Sequence, residues 1–335
     1  FPITFLIKST VGFLALLLLS LIVIGMRRLS WGREILFLLV TPLVYLIVAL
    51  TVGMNIGVRH VLIVYVFLYV IIGGAAWAII ETKRKWMYAV AVVLLLHMAS
   101  SLNTYPNYIA YGNELWGGSS QTHKHLTDSN ADWGEQLKSV KQYLDHRGVK
   151  ECWFVYFAAG VAEPSYYGIP CKPLPTVNTL WLNLPIEVPK SINGPVLISA
   201  SNLSGFEFGP GPLDPYGQFR LLTPTAVIDR GVFVFDGTLE LPLAAAIRKG
   251  QKAQNLAQAR QFGQALEEAQ EAVALAPDSV QAQLTLGDIL RELDQAPHAR
   301  ACYEKALQLA KTIEPEFQIR SIPGIEERLQ SLPKQ

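Results

Sequence analysis

The side chains best placed to do chemistry are Lys8, Arg59 and His60. Lys8 stands just ahead of one long apolar run. Arg59 and His60 close the short polar stretch Gly53-Met-Asn-Ile-Gly-Val-Arg-His60 between two others. Guanidinium and ammonium groups hold phosphate oxygens through charge-assisted hydrogen bonds. At a membrane surface, this trio suits the phosphate or pyrophosphate of a lipid carrier. Long basic side chains also anchor ordinary membrane helices by reaching back to headgroups, and that explanation covers the same residues. Residues 1–101 hold no Asp-x-Asp pair and no acidic cluster. Glu34 and Glu81 fall on the other side of the apolar runs, so this face offers no general base or metal ligand.

The elements that must position these residues are membrane helices. Apolar runs at about 9–25, 35–52, 61–80 and 86–101 each approach the ~20 residues a helix needs to cross a bilayer. A helix satisfies every backbone group within its own segment. The connection at 26–34 carries Arg27, Arg28 and Arg33, and that at 81–85 carries Lys83, Arg84 and Lys85. The bias of cations toward the cytoplasm puts both of these inside. Lys8, Arg59, His60 and everything after about residue 102 then fall on the extracytoplasmic side, in a bacterial inner membrane. Trp31, Trp86 and Tyr105 sit at expected interfaces. His97, within the fourth run, is read as a hydrogen-bonding partner for a neighbouring helix.

Composition divides the remainder. The net charge of +1 argues neither for nucleic acid nor for an acidic partner. From 103 to 240, Gly, Pro, Ser and Asn punctuate short apolar runs, as in a small α/β domain. A helix is expected over 132–147, opened by a capping box of Asp132 and Glu135 and stopped at Gly148. Strands are expected at 151–157, 196–200 and 232–235. Cys152 and Cys171 could pair in an oxidising space, and two unlinked thiols fit equally well. Cys302 reads as a small core residue. The run Asp128-Ser-Asn-Ala-Asp-Trp-Gly134 lacks the glycine and glutamate positions of a calcium loop and reads as a capping turn. His123 and His125 lack a third ligand and read as surface residues. Asn202-Leu-Ser204 matches a glycosylation pattern.

Residues 246–313 fit two units of about 34 residues with tetratricopeptide-type packing positions. The first carries Ala253, Leu256, Ala265, Ala269, Ala272 and Pro277. The second carries Leu286, Gly287, Leu290, Ala299, Tyr303 and Ala306. A closing helix is expected over 322–332, within a tail of 314–335. Such repeats either dock a protein partner or only stabilise the chain end.

Phe5-Leu-Ile-Lys-Ser-Thr10, Asn55-Ile-Gly-Val-Arg-His60, Tyr111-Gly-Asn-Glu-Leu115 with Gly117-Gly118, Asp128-Ser-Asn-Ala-Asp-Trp-Gly134 and Tyr166-Tyr-Gly-Ile169 occur in that order. Together they resemble the C-terminal half of bacterial membrane glycosyltransferases of the protein O-mannosyltransferase-like type, in the GT-C superfamily. Some of those enzymes end in tetratricopeptide repeats. The resemblance covers about residues 1–237. It implies a multi-domain chain: a transmembrane bundle over 1–102 with four spans, the extracytoplasmic α/β domain, and the repeats. It further implies inverting transfer of a sugar from a polyprenyl-phosphate carrier to an acceptor on the non-cytoplasmic face.

The family's catalytic carboxylate lies in a first outer loop that is expected to precede this chain, so no base is named here. Lys8, Arg59 and His60 match the family's basic positions and are expected to touch the carrier phosphate. The family often has prolines after the Arg-His pair. Ile63 and Val66 stand there instead, so a straighter third helix is expected. No cofactor is evident, and a divalent metal is left open for the full-length enzyme. The rival expectation is a non-catalytic membrane-anchored scaffold that presents its repeats to a protein partner.

Overall fold

The computed structural model describes residues 1–26, 33–51, 57–209 and 211–333. The expectations placed on Arg27, Arg28, Trp31 and residues 53–56 lie outside the described residues. The chain forms two compact units, Phe1–Trp133 and Gly134–Gln335.

The first unit is helical. It contains α1 (Pro2–Lys8), α2 (Val11–Gly25), α3 (Glu34–Thr51), α4 (Leu62–Thr82) and α5 (Trp86–Thr104). Three helical segments are long and apolar enough to cross a membrane: Glu34–Thr51, Val58–Thr82 and Trp86–Thr104. Their outer faces expose large apolar side chains such as Leu36, Phe37, Val70, Leu95 and Leu96, which suits a surface bathed in hydrocarbon. The span expected over about 9–25 corresponds to α2, which has 15 residues and reaches membrane length only together with α1, from which it is bent by 119° at Ser9–Thr10.

Breaking a helix leaves carbonyls without partners, a serious cost away from water. One side chain resolves it here. Asn113 Nδ2 donates to Leu6 O at 2.6 Å and to Ser9 O at 2.8 Å, and its backbone N–H donates to Ile7 O at 2.9 Å. Thr10 then caps α2 by accepting from Phe13 N at 3.1 Å. Residues 103–133 therefore fold onto the helices, although the sequence placed a boundary at 102. His97 meets Thr10 Oγ1 at 2.6 Å through Nδ1, the interhelical bond expected of it.

In the second unit α6 (Leu137–Arg147) buries Leu137, Val140 and Leu144 against the sheet. It starts five residues later than expected, with Gln136 at its N-cap and no side-chain cap. Asp132 is instead buried in the preceding loop, which belongs to the first unit. With the N-cap at Gln136, Asp132 stands too early in the chain to hold the N-cap position that a capping box requires.

The five-stranded sheet has the order β2 (Cys171–Pro173), β1 (Cys152–Val155), β4 (Val196–Ser199), β6 (Val232–Phe235) and β5 (Ala226–Ile228). β1 runs parallel to β2 and β4, and β6 runs antiparallel to β4 and β5. A second ribbon pairs β3 (Ser191–Asn193) with β7 (Thr238–Glu240). Cys152 and Cys171 are register partners on β1 and β2 and form a disulfide. Two short helices, α7 (Val177–Trp181) and α8 (Ala200–Leu203), follow the C-terminal ends of β2 and β4.

The tail packs α9 (Pro242–Gln258) on α10 (Phe262–Leu275) and α11 (Val280–Glu292) on α12 (Ala296–Ala310), closed by α13 (Pro315–Ser331). Its small residues do what their spacing suggested. A Cβ on Gly287 would come 2.5 Å from the ring of Tyr303, whose hydroxyl donates to Asp288 at 2.7 Å. α13 is longer than the expected 322–332. It opens with a proline in its first turn and continues through Pro323.

Candidate functional site

The site is built around the short 3-10 turn Val58–Val61 that leads into α4. The turn is pinned from two sides. Tyr45 Oη, on α3, donates to His60 O at 2.8 Å. From the other side Asn130 Oδ1 accepts from Val58 N at 3.3 Å. Asn130 belongs to the loop Asp128–Trp133, whose first three residues form another 3-10 turn.

Each of the three expected residues is thereby placed. Lys8, at the C-terminal end of α1, donates through Nζ to Ile109 O at 2.6 Å and to Asn130 O. Its ammonium ties α1 to both loops, a positioning role the sequence did not suggest. Arg59 is exposed, with its guanidinium carbon 5.9 Å from the ring centre of Trp133. It forms no ion pair among the described residues, so its fork of donors faces solvent uncompensated. His60 is half-buried, tilted 6.3 Å from the ring of Phe1. Its Nε2 is buried without a hydrogen-bond partner.

The loop Asp128–Trp133 is thus the hub that joins Lys8 to the Arg59 turn. Sequence reasoning does not single out Asn130 and Trp133, because the run reads as a capping turn, whereas in the fold they touch Lys8, Val58 and Arg59. The usable signal was its polar content beside a lone tryptophan in a region otherwise given to loops.

Beside this cluster lies an apolar cleft of about 390 Å³. Phe1, Phe5, Leu46, Leu50, Val61 and Leu68 are among its walls, so it is framed by α1, α3 and α4. Val61 follows His60 directly, which sets the polar turn at one edge of the cleft. An oxyanion joined to a long hydrocarbon could place its charge at Arg59 and its chain along this cleft.

Among the described residues no group of three or more His, Cys, Asp and Glu is arranged to hold a metal ion. His123 proves buried rather than superficial, and His125 stacks edge-on against Trp116 at 5.4 Å. Asn202 is buried as well, with Ser199 Oγ donating to its Oδ1 at 2.8 Å, so a glycan could not be attached there in the folded chain. Neither a known protein family nor a curated protein sequence matches the chain.

Proposed function

We propose that this chain is part of an integral-membrane glycosyltransferase of the protein O-mannosyltransferase-like type. It would move a sugar from a polyprenyl-phosphate carrier to an acceptor on the non-cytoplasmic face. The observation that carries the reading is the uncompensated Arg59 guanidinium, with the His60 ring beside it, at the edge of an apolar cleft. In the transfer, the bond from the anomeric carbon to the carrier phosphate breaks as the acceptor oxygen attacks. Arg59 would neutralise the charge gathering on the departing phosphate, and His60 would add a hydrogen bond. Lys8 would hold the Asn130 loop in place and contribute positive potential. The base is not among the residues named here.

In this reading the bent α1–α2 pair acts as a fourth span, and the paired helices α9 to α12 are two tetratricopeptide-type repeats. The Cys152–Cys171 disulfide supports an oxidising, extracytoplasmic setting for the second unit. Replacing Arg59 by Ala in the full-length enzyme should lower transfer about a hundredfold. Unchanged turnover would defeat the phosphate-binding role.

One observation favours a second reading, a membrane-anchored scaffold. A cleft of about 220 Å³ between α9 and α11 is edged by Gln251, Gln254, Gln281 and Thr285. These amide and hydroxyl groups could bind an extended peptide backbone. A specific protein captured by the full chain, together with indifference to carrier lipid, would favour that role over transfer.

A further inference from the structure

We propose that the groove between the β2 edge of the sheet and α9 binds an acidic saccharide, a sugar bearing a carboxylate or a phosphate. The proposal does not depend on the transfer reaction above. The groove has a volume of about 950 Å³. That is room for a ligand of one to three sugar rings, far more than a bare oxyanion occupies.

Its charges are unequal in a telling way. Lys249 Nζ lies 2.8 Å from Glu268 and 2.6 Å from Glu271, and Lys252 pairs with Glu268 as well. Hydrogen bonds that Lys249 donates to the two carboxylates hold its pKa above the ordinary value. Burial alone would raise Glu268, but the two ammonium groups pull it below its usual range. Those side chains offset one another's charge. Arg248 and Lys172 do not share in this: neither forms an ion pair among the described residues. Glu187, the carboxylate that also lines the groove, pairs with neither.

Arg248 spends Nε on Ile186 O at 2.7 Å, while its Nη1 is buried without a partner. Partial burial also lowers its pKa. A buried donor with nothing to donate to is costly, and an oxyanion would supply both the missing acceptor and the missing charge. Lys172 holds its ammonium 5.5 Å from the centre of the Trp153 indole. This puts a second cation beside an aromatic surface of the kind that packs on the C–H face of a sugar ring. Pro173, Pro185 and Pro189 form part of the wall and have no backbone N–H to offer. Donors in the groove are therefore concentrated in the cationic side chains, which selects for a ligand rich in acceptors.

The test is calorimetric titration of the full chain in detergent with trigalacturonate, glucose 6-phosphate, inorganic phosphate and maltotriose. One of the two acidic sugars should bind at least about tenfold more tightly than either phosphate or maltotriose, and which one it is identifies the oxyanion. Arg248→Gln and Lys172→Gln should each weaken that binding about tenfold. Lys172 sits exposed on an edge strand, so its replacement leaves the fold intact. Lys305→Gln, a control for bulk charge on α12, should leave affinity unchanged. Equal binding of inorganic phosphate would overturn the saccharide. So would no measurable binding of either acidic sugar, or affinity that survives both groove substitutions.

Discussion

Asn130 occupies the space that a side chain at Gly57 would need. A Cβ built on Gly57 would lie 2.1 Å from Asn130 Oδ1, the same oxygen that accepts from Val58 N. Gly57 also has φ of 105° and ψ of −170°, a backbone region open essentially to glycine alone. The close approach lets the Asp128–Trp133 loop hold the turn that carries Arg59.

Gly57→Ala should therefore cost about 1–3 kcal/mol from backbone strain, with added steric cost, and should loosen the turn that carries Arg59. Pairing it with Asn130→Ala separates the two contributions. The double variant should recover the steric part and leave the strain. Thermal unfolding of the four proteins of that cycle reads the coupling directly, and strictly additive effects would contradict the contact.

Asn113→Ala should destabilise the first unit by about 2 kcal/mol or more, since it strands the carbonyls at the α1–α2 break. Asn113→Asp should be at least as damaging, because a carboxylate cannot donate to Leu6 O or Ser9 O. Thermal inactivation in detergent checks both. An aspartate that behaved like the wild type would show that the side-chain amide is not what holds the break.

Cys152→Ser together with Cys171→Ser should cost about 3 kcal/mol of urea stability, the expected worth of a loop of this size. The cysteines are separated by 19 residues. Adding reductant to the wild type should reproduce the loss, and adding it to the double variant should do nothing further.

Glu207 supplies a pH signature. Burial raises its pKa to about 7, against the opposing pull of a hydrogen bond from Val177 N at 3.0 Å. The folded state thus keeps a proton that the unfolded chain releases near 4.5. Stability from this group is full below about 4.5 and is lost as pH rises toward 7, the reverse of an ion-paired carboxylate. Glu207→Gln should abolish that slope and leave the protein about 2 kcal/mol more stable than wild type at pH 8. Urea midpoints at pH 4, 6 and 8 would show it, and parallel curves for the two proteins would refute the assignment.

The apolar runs, the buried strands at 152–155, 196–199 and 232–235, and the small-residue packing of the tail were legible in the chain itself. These depend on composition and on local spacing, and burial of a continuous apolar face follows from both. The short strands Cys171–Pro173, Ala226–Ile228 and Thr238–Glu240 were not legible. They lie at sheet edges or in a two-stranded ribbon, where pairing rather than side-chain pattern creates the strand.

Residue type and position single out Lys8, Arg59 and His60 as candidates, but they do not show what surrounds each. Lys8 is bound to carbonyls more than a hundred residues away, and the Arg59 turn is held by an asparagine 72 residues on. Ser9 and Thr10 mark where α2 begins, as the expected start at residue 9 reflects, but they do not show the 119° bend from α1. The bend exists because Asn113, distant in the chain, satisfies the carbonyls that it exposes. Sequence by itself determined which segments avoid water and where cations gather. Only tertiary structure decided which backbone groups those cations and amides would serve, because such partners are chosen by proximity in space and leave no periodic trace along the chain.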